Sequence, residues 1–157
     1  MMVYRSFIVG LVLLASGCDQ NMKNLIGLGS NSSLTCTIKS KKSGDNQYLV
    51  TFIFTNTTNE PVRFLKWHTP FEGWWSQFLH VEQSGVELLY QGPMAKRAKP
   101  TEHDYIELAA HEHRSITLNL LNAYDVALGS PTTITLSSEL SYPDSPNIDC
   151  SMILVRQ

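Results

Sequence analysis

The chain has 157 residues, 43% apolar and 17% charged, with 12 Lys+Arg against 14 Asp+Glu for a formal charge of −2. That length holds one ordinary domain, and the apolar share supports a packed core and argues against global disorder. The near balance of charge argues against a dedicated nucleic-acid binder, and the pattern lacks the sustained heptads of a coiled coil and the long apolar spans of a multi-pass membrane protein.

The N-terminus reads as a secretory signal. Met1 to Ser6 carry one positive charge, on Arg5, and Phe7 to Ala15 form an apolar run of nine before the small residues Ser16 and Gly17. A bilayer span takes about 20 apolar residues, so this run is too short to cross. The stretch Leu14-Ala15-Ser16-Gly17-Cys18 resembles the lipobox of bacterial lipoproteins, with Ala15 where a leucine is usual. The resemblance implies a signal peptide over 1–17 and a diacylglyceryl group, with a further acyl chain, on Cys18. Each buried CH₂ contributes about 0.8 kcal/mol, so two or three chains anchor the protein stably. Asp19 resembles the inner-membrane retention signal of enterobacterial lipoproteins; otherwise the outer membrane is the destination. The mature chain holds 140 residues (157 − 17) and a formal charge of −3, because Arg5 leaves with the signal. The segment 18–33 is rich in Asn, Ser and Gly and reads as a flexible tether reaching on the order of 20 Å.

From residue 34 to 157 the pattern predicts strands. Leu34 to Ile38 alternates apolar and polar, and Tyr48 to Thr55 is β-branched and aromatic until Asn56-Thr57-Thr58-Asn59 stops it. Val62 to Trp67 follows Pro61. Phe78 to Val81 and Val86 to Tyr90 flank a hairpin turn at Gln83-Ser84-Gly85. Tyr105 to Leu108 is short, and Ile116-Leu118-Leu120, Ile134-Leu136 and Ile148-Cys150-Met152-Leu154 alternate with polar neighbours. Leu120 to Leu128 holds one helical turn at most. The expected fold is an all-β, immunoglobulin-like antiparallel sandwich of about seven to nine strands. Cys36 and Cys150 should both point inward from the first and last strands. In an oxidising compartment that favours a disulfide over two separately buried thiols.

Between residues 48 and 126 several motifs carry a family resemblance. They are Leu65-Lys66-Trp67 with Thr69-Pro70-Phe71 and Gly73; Tyr90-Gln91-Gly92 with Lys96-Arg97, Pro100 and Asp104-Tyr105; and Leu120 with Ala123-Tyr124-Asp125. Together they resemble the non-catalytic N-terminal domain of bacterial peptidyl-Lys metalloendopeptidases of the deuterolysin class. The match departs at Ala110-His111-Glu112-His113, where that family has Pro-Gly-Glu-Ser. Those proteases bind zinc through His-Glu-x-x-His, which this chain lacks. His111 and His113 stand two apart and do not share a helix face. The resemblance therefore implies the accessory, prosegment-like domain alone, with no catalytic residues and no cofactor. Such a domain would restrain or chaperone a peptidase, or serve as a general binding module.

Four residues are the candidate partner contacts. Trp74 and Trp75 are adjacent and point to opposite sides of an extended chain, so at least one should meet solvent, whereas Trp67 belongs to the core. Lys96 and Arg97, with Lys99, form a basic group on an acidic domain. Asp104 is expected to pair with Lys96 or Arg97 and pin the loop, with Tyr105 covering the core edge. Two other readings stand beside the binding domain: a structural envelope lipoprotein with no discrete ligand, and a metal-dependent protein using His103, His111 and His113. The sequence does not fix the oligomeric state.

Overall fold

The computed structural model describes residues 33–43, 47–127, 129–137, 148–151 and 153–155. The expected signal peptide, Cys18, Asp19 and the tether up to residue 32 lie outside the described residues. The described chain is all β, with ten strands and three short 3-10 turns, and among the described residues no helix is long and apolar enough to cross a membrane.

Alternation decides which side chains enter the core. In β1 (Leu34–Lys42) Leu34, Cys36 and Ile38 are buried, and in β2 (Tyr48–Asn56) every second residue from Tyr48 to Asn56 is. The two strands pair antiparallel with Cys36 opposite Phe54 and Ile38 opposite Phe52. On the far side of β2 lies β7 (His113–Asn119), also antiparallel. The second sheet is built on β4 (Leu79–Gln83) and β8 (Thr132–Leu136), with Val81 opposite Ile134. A two-residue turn joins β4 to β5 (Val86–Glu87); Ser84 (φ 53°) and Gly85 (φ 82°) both take the left-handed conformation that such hairpins require. A small third sheet pairs β3 (Val62–Leu65) with β6 (Tyr105–Leu108).

The final alternating segment is not the single strand its pattern suggests. It forms β9 (Ile148–Ser151), parallel to β1, and β10 (Ile153–Val155), antiparallel to β8. The sheets read β7-β2-β1-β9 and β10-β8-β4-β5, so the last segment borders both. The β1–β9 pair corrects the purely antiparallel expectation. Cys36 and Cys150 are register partners in it, with Cα atoms 4.2 Å apart, and their sulfurs are bonded.

Two other strands are shorter than their composition implies. β3 stops at Leu65 because the Thr69 amide and hydroxyl both turn back to the Lys66 carbonyl and Pro70 opens a 3-10 turn. β5 stops at Glu87, although the Leu88 amide still bonds to the Val81 carbonyl of β4 at 2.8 Å; Leu88 and Tyr90 pack against the core and Leu89 between them is exposed. One core joins the three sheets. Phe52 meets Phe78 edge-on at 6.0 Å across the sandwich, and Phe54 stacks on Phe64 of β3 at 5.7 Å. Each such ring, fully buried, contributes about 2–3 kcal/mol. Buried Asn56 ends β2 by donating to the carbonyls of Glu60, Leu108 and Ala109, which ties that end to β6.

The disulfide closes a loop of 114 residues in sequence separation. Replacing both cysteines, Cys36→Ala with Cys150→Ala, should lower stability by about 2–5 kcal/mol in denaturant unfolding. A midpoint unchanged from the oxidised protein would mean that the clip contributes nothing to holding β9 in place.

Candidate functional site

The loop after β3 is organised around one acid. Thr69 accepts a hydrogen bond from the Phe71 amide and starts the 3-10 turn Pro70–Glu72, which aims the Glu72 side chain inward. That side chain is only 3% exposed. Its Oε1 accepts from the His68 amide at 2.8 Å and from the Ser76 hydroxyl, and its Oε2 pairs with the Arg97 guanidinium. An ion removed from water needs such compensation, and deleting one member of a buried pair costs about 3–5 kcal/mol. Arg97 also lies over the Trp67 ring, 5.2 Å from its centroid. His68 sits in the same pocket with its imidazole pKa lowered, mainly by burial; Glu72 opposes this and Arg97 adds to it.

Trp67 joins this cluster to a second acid. Its indole Nε1 donates to Asp104 Oδ1 at 3.1 Å. Asp104 Oδ2 accepts from the Thr101 amide at 2.9 Å and hydroxyl at 2.8 Å, and the Lys66 ammonium lies 3.5 Å from Oδ1. Asp104 therefore pairs with Lys66 and not, as expected from sequence, with Lys96 or Arg97. The cause is the β3–β6 pairing: the Lys66 amide bonds to the Asp104 carbonyl at 2.9 Å, which puts the two side chains together. Tyr105 is half-buried under Arg63, whose guanidinium is 4.0 Å from the ring centroid.

The two adjacent tryptophans differ in exposure as expected, though they lie in a bend and not in an extended strand. Trp74 is half-buried, stacks on Phe78 at 5.1 Å and donates to the Asn119 carbonyl at 3.1 Å. Trp75 is 56% exposed. The long loop from Leu88 to Pro100 is fastened beside them. The Tyr90 hydroxyl hydrogen is shared between the carbonyls of Trp74 (2.8 Å) and Pro93 (3.1 Å), and its ring meets Tyr124 edge-on at 5.5 Å. A Cβ on Gly92 would come within 2.3 Å of that hydroxyl, so the close approach requires glycine. The Ala95 amide then bonds to the Trp75 carbonyl at 2.9 Å.

Of the four candidate contacts, Trp75 and Lys96 thus face solvent, whereas Trp74 and Arg97 are turned inward as fixings. Met94 (67% exposed) and Leu89 (82%) join the outward set. Sequence reading passed over them because an apolar residue in an irregular loop has no period to reveal its direction. It also passed over Glu72, whose role depends on an arginine 25 positions away.

The three histidines are dispersed in role. His103 offers its carbonyl to the Lys66 ammonium at 2.9 Å, His111 holds Asn59 at 2.9 Å from the β6–β7 turn, and His113 is exposed on β7. Among the described residues no three His, Cys, Asp or Glu side chains gather as a metal-binding group.

No family model matches this chain. It is 35% identical over 78 residues to an extracellular protease of Aeromonas hydrophila. The match takes in 50% of this chain and 22% of that protease, so the chain spans under a quarter of its relative's length. Half of this protein is therefore similar to a region of a protease.

Asp104 supplies a pH test. Its carboxyl is held from 3.8 down to about 2, chiefly by the Thr101 amide and then the Thr101 hydroxyl, with Trp67 and Lys66 adding to them against the cost of desolvation. A lowered carboxylate pKa contributes stability above the ordinary value, lost as pH falls through the folded one. Urea midpoints should therefore fall as pH drops from 3.8 toward 2, and Asp104→Asn should flatten that fall. An identical pH slope in the variant would show that the acid is not held by these partners.

Proposed function

We propose that the protein is a lipid-anchored domain of the bacterial envelope that binds a peptidase and restrains or chaperones it without breaking bonds itself. The observation that carries this reading is the similarity of half the chain to a protease region, on a sandwich whose braced loops hold Trp75, Met94 and Lys96 toward solvent. Anchored binding has the right architecture for this: a signal-like start, an acylatable Cys18 and a polar tether would stand the sandwich clear of the lipid. Tryptophan and methionine are among the residue types enriched in protein interfaces, which suits Trp75 and Met94, and Lys96 beside them adds a charge that selects an acidic partner surface. A structural lipoprotein with no discrete ligand would have both Trp74 and Trp75 covered, and the exposure of Trp75 favours the binding reading.

Two measurements test it. Cys18→Ser should move the protein from the membrane to the soluble fraction of the envelope. Wild-type protein used as bait in envelope extract should retain an identifiable peptidase, and Trp75→Ala should lose most of it. Recovery of no peptidase at all, or peptide hydrolysis by the purified chain that disappears on changing one of its own histidines, would refute the proposal.

A further inference from the structure

Peptidases hold their substrates as extended strands whose alternate side chains enter pockets. The segment from Met94 to Ala98 has the same alternation of exposed and covered side chains while belonging to no sheet of the sandwich. Met94, Lys96 and Ala98 are exposed, and Ala95 and Arg97 between them are turned toward the domain. The inward residues are also the fastened ones. The Ala95 amide is bonded to the Trp75 carbonyl at 2.9 Å, and Arg97 is paired with the buried Glu72. Lys96 is therefore exposed between two anchored neighbours. Nearby Lys99 is followed by Pro100, whose amide has no hydrogen, and is the poorer site for a peptidase to read.

We infer that residues 94–98 are a substrate-like loop that offers Lys96 to the specificity pocket of a lysine-reading peptidase and resists cleavage because both flanks of Lys96 are held. This rests on the peptidase-binding reading above and names how that partner is engaged. Preorganisation favours binding, since the loop loses little freedom on entering a cleft. It also opposes turnover. Hydrolysis of the Lys96–Arg97 bond adds hydroxyl from water to the Lys96 carbonyl carbon and a proton to the Arg97 nitrogen. The Arg97–Glu72 pair keeps that new amine beside the new carboxyl, so the reverse reaction competes with release. The Ala95 anchor acts in the same way on a cut before Lys96.

The test uses the full chain in detergent and two probes, a lysine-specific endopeptidase that cuts on the carboxyl side and one that cuts on the amino side, each assayed on a small lysyl peptide. Wild-type protein should inhibit at least one of them competitively. Lys96→Ala, an exposed change that leaves the fixings intact, should raise the inhibition constant at least about tenfold. Glu72→Gln keeps Lys96 and loosens its flank, so mass spectrometry should find a cut beside Lys96 at least about tenfold sooner than in wild type, with inhibition fading as the cut accumulates. No inhibition of either probe, inhibition undiminished by Lys96→Ala, or wild type cut beside Lys96 as fast as Glu72→Gln would each overturn the loop proposal. Capture of an envelope peptidase by the bait experiment would still stand in those cases, so the two readings fail separately.

Discussion

A single carboxylate taken out of water shapes the loops that follow β3 and β5. Glu72 is almost fully covered, and its two oxygens are answered by the His68 amide, the Ser76 hydroxyl and the Arg97 guanidinium. Moving the Arg97 segment away would leave that buried charge without its guanidinium, so two segments distant in sequence are tied to each other. The contrast with Arg63–Glu102 is instructive. That pair closes at 2.7 Å but its side chains are 43% and 84% exposed, and exposed pairs contribute about 0–1 kcal/mol. Distance alone does not rank the two; burial does.

The sandwich supplies the platform on which this commitment acts. Trp74 is stacked on Phe78 at the head of β4, and the buried Tyr124 hydroxyl donates to the Leu79 carbonyl at 2.7 Å, with its pKa raised mainly by desolvation. The loops over this end are thereby fixed to strands of the second sheet. At the other margin the Cys36–Cys150 bond fastens β9 to β1, and the next residues run on into β10 beside β8. Loops that are stiff because their scaffold is stiff bind with less loss of freedom than loops ordered only by a partner.

Much of the fold was legible in the sequence because a half-buried strand writes its period directly. Leu34, Cys36 and Ile38 face inward as their alternation predicts, which paired the two cysteines; in β2 the composition marks a strand, but only the structure shows that Tyr48, Val50, Phe52 and Phe54 turn inward and Leu49 and Ile53 do not. What stayed hidden depends on tertiary choice. Period two says which face a residue takes and not which strand it meets, so the parallel β1–β9 pair and the division of the last segment between two sheets went unread. The same limit explains the exchange of partners between the acids. Lys66 and Arg97 carry the same charge, and only the β3–β6 register assigns the first to Asp104 and leaves the second for Glu72. Glu72 itself, between Phe71 and Gly73, gives no local sign that it is buried.

The motifs that stand out in the sequence between residues 48 and 126 fall largely on these internal fixings: Lys66, Trp67, Tyr90, Gly92, Arg97, Asp104 and Tyr124 all hold loops in place. The outward residues Trp75, Met94 and Lys96 are presented by that frame. Hydrogen exchange at the Ala95 amide tests this dependence most directly, because that amide is bonded to the Trp75 carbonyl and is remote in sequence from Glu72. Protection should be lost at Ala95 in Glu72→Gln while Phe52, inside β2, keeps the protection of the folded sheet. Full retention of protection at Ala95 in a folded Glu72→Gln protein would contradict the claim that the buried acid orders the loop.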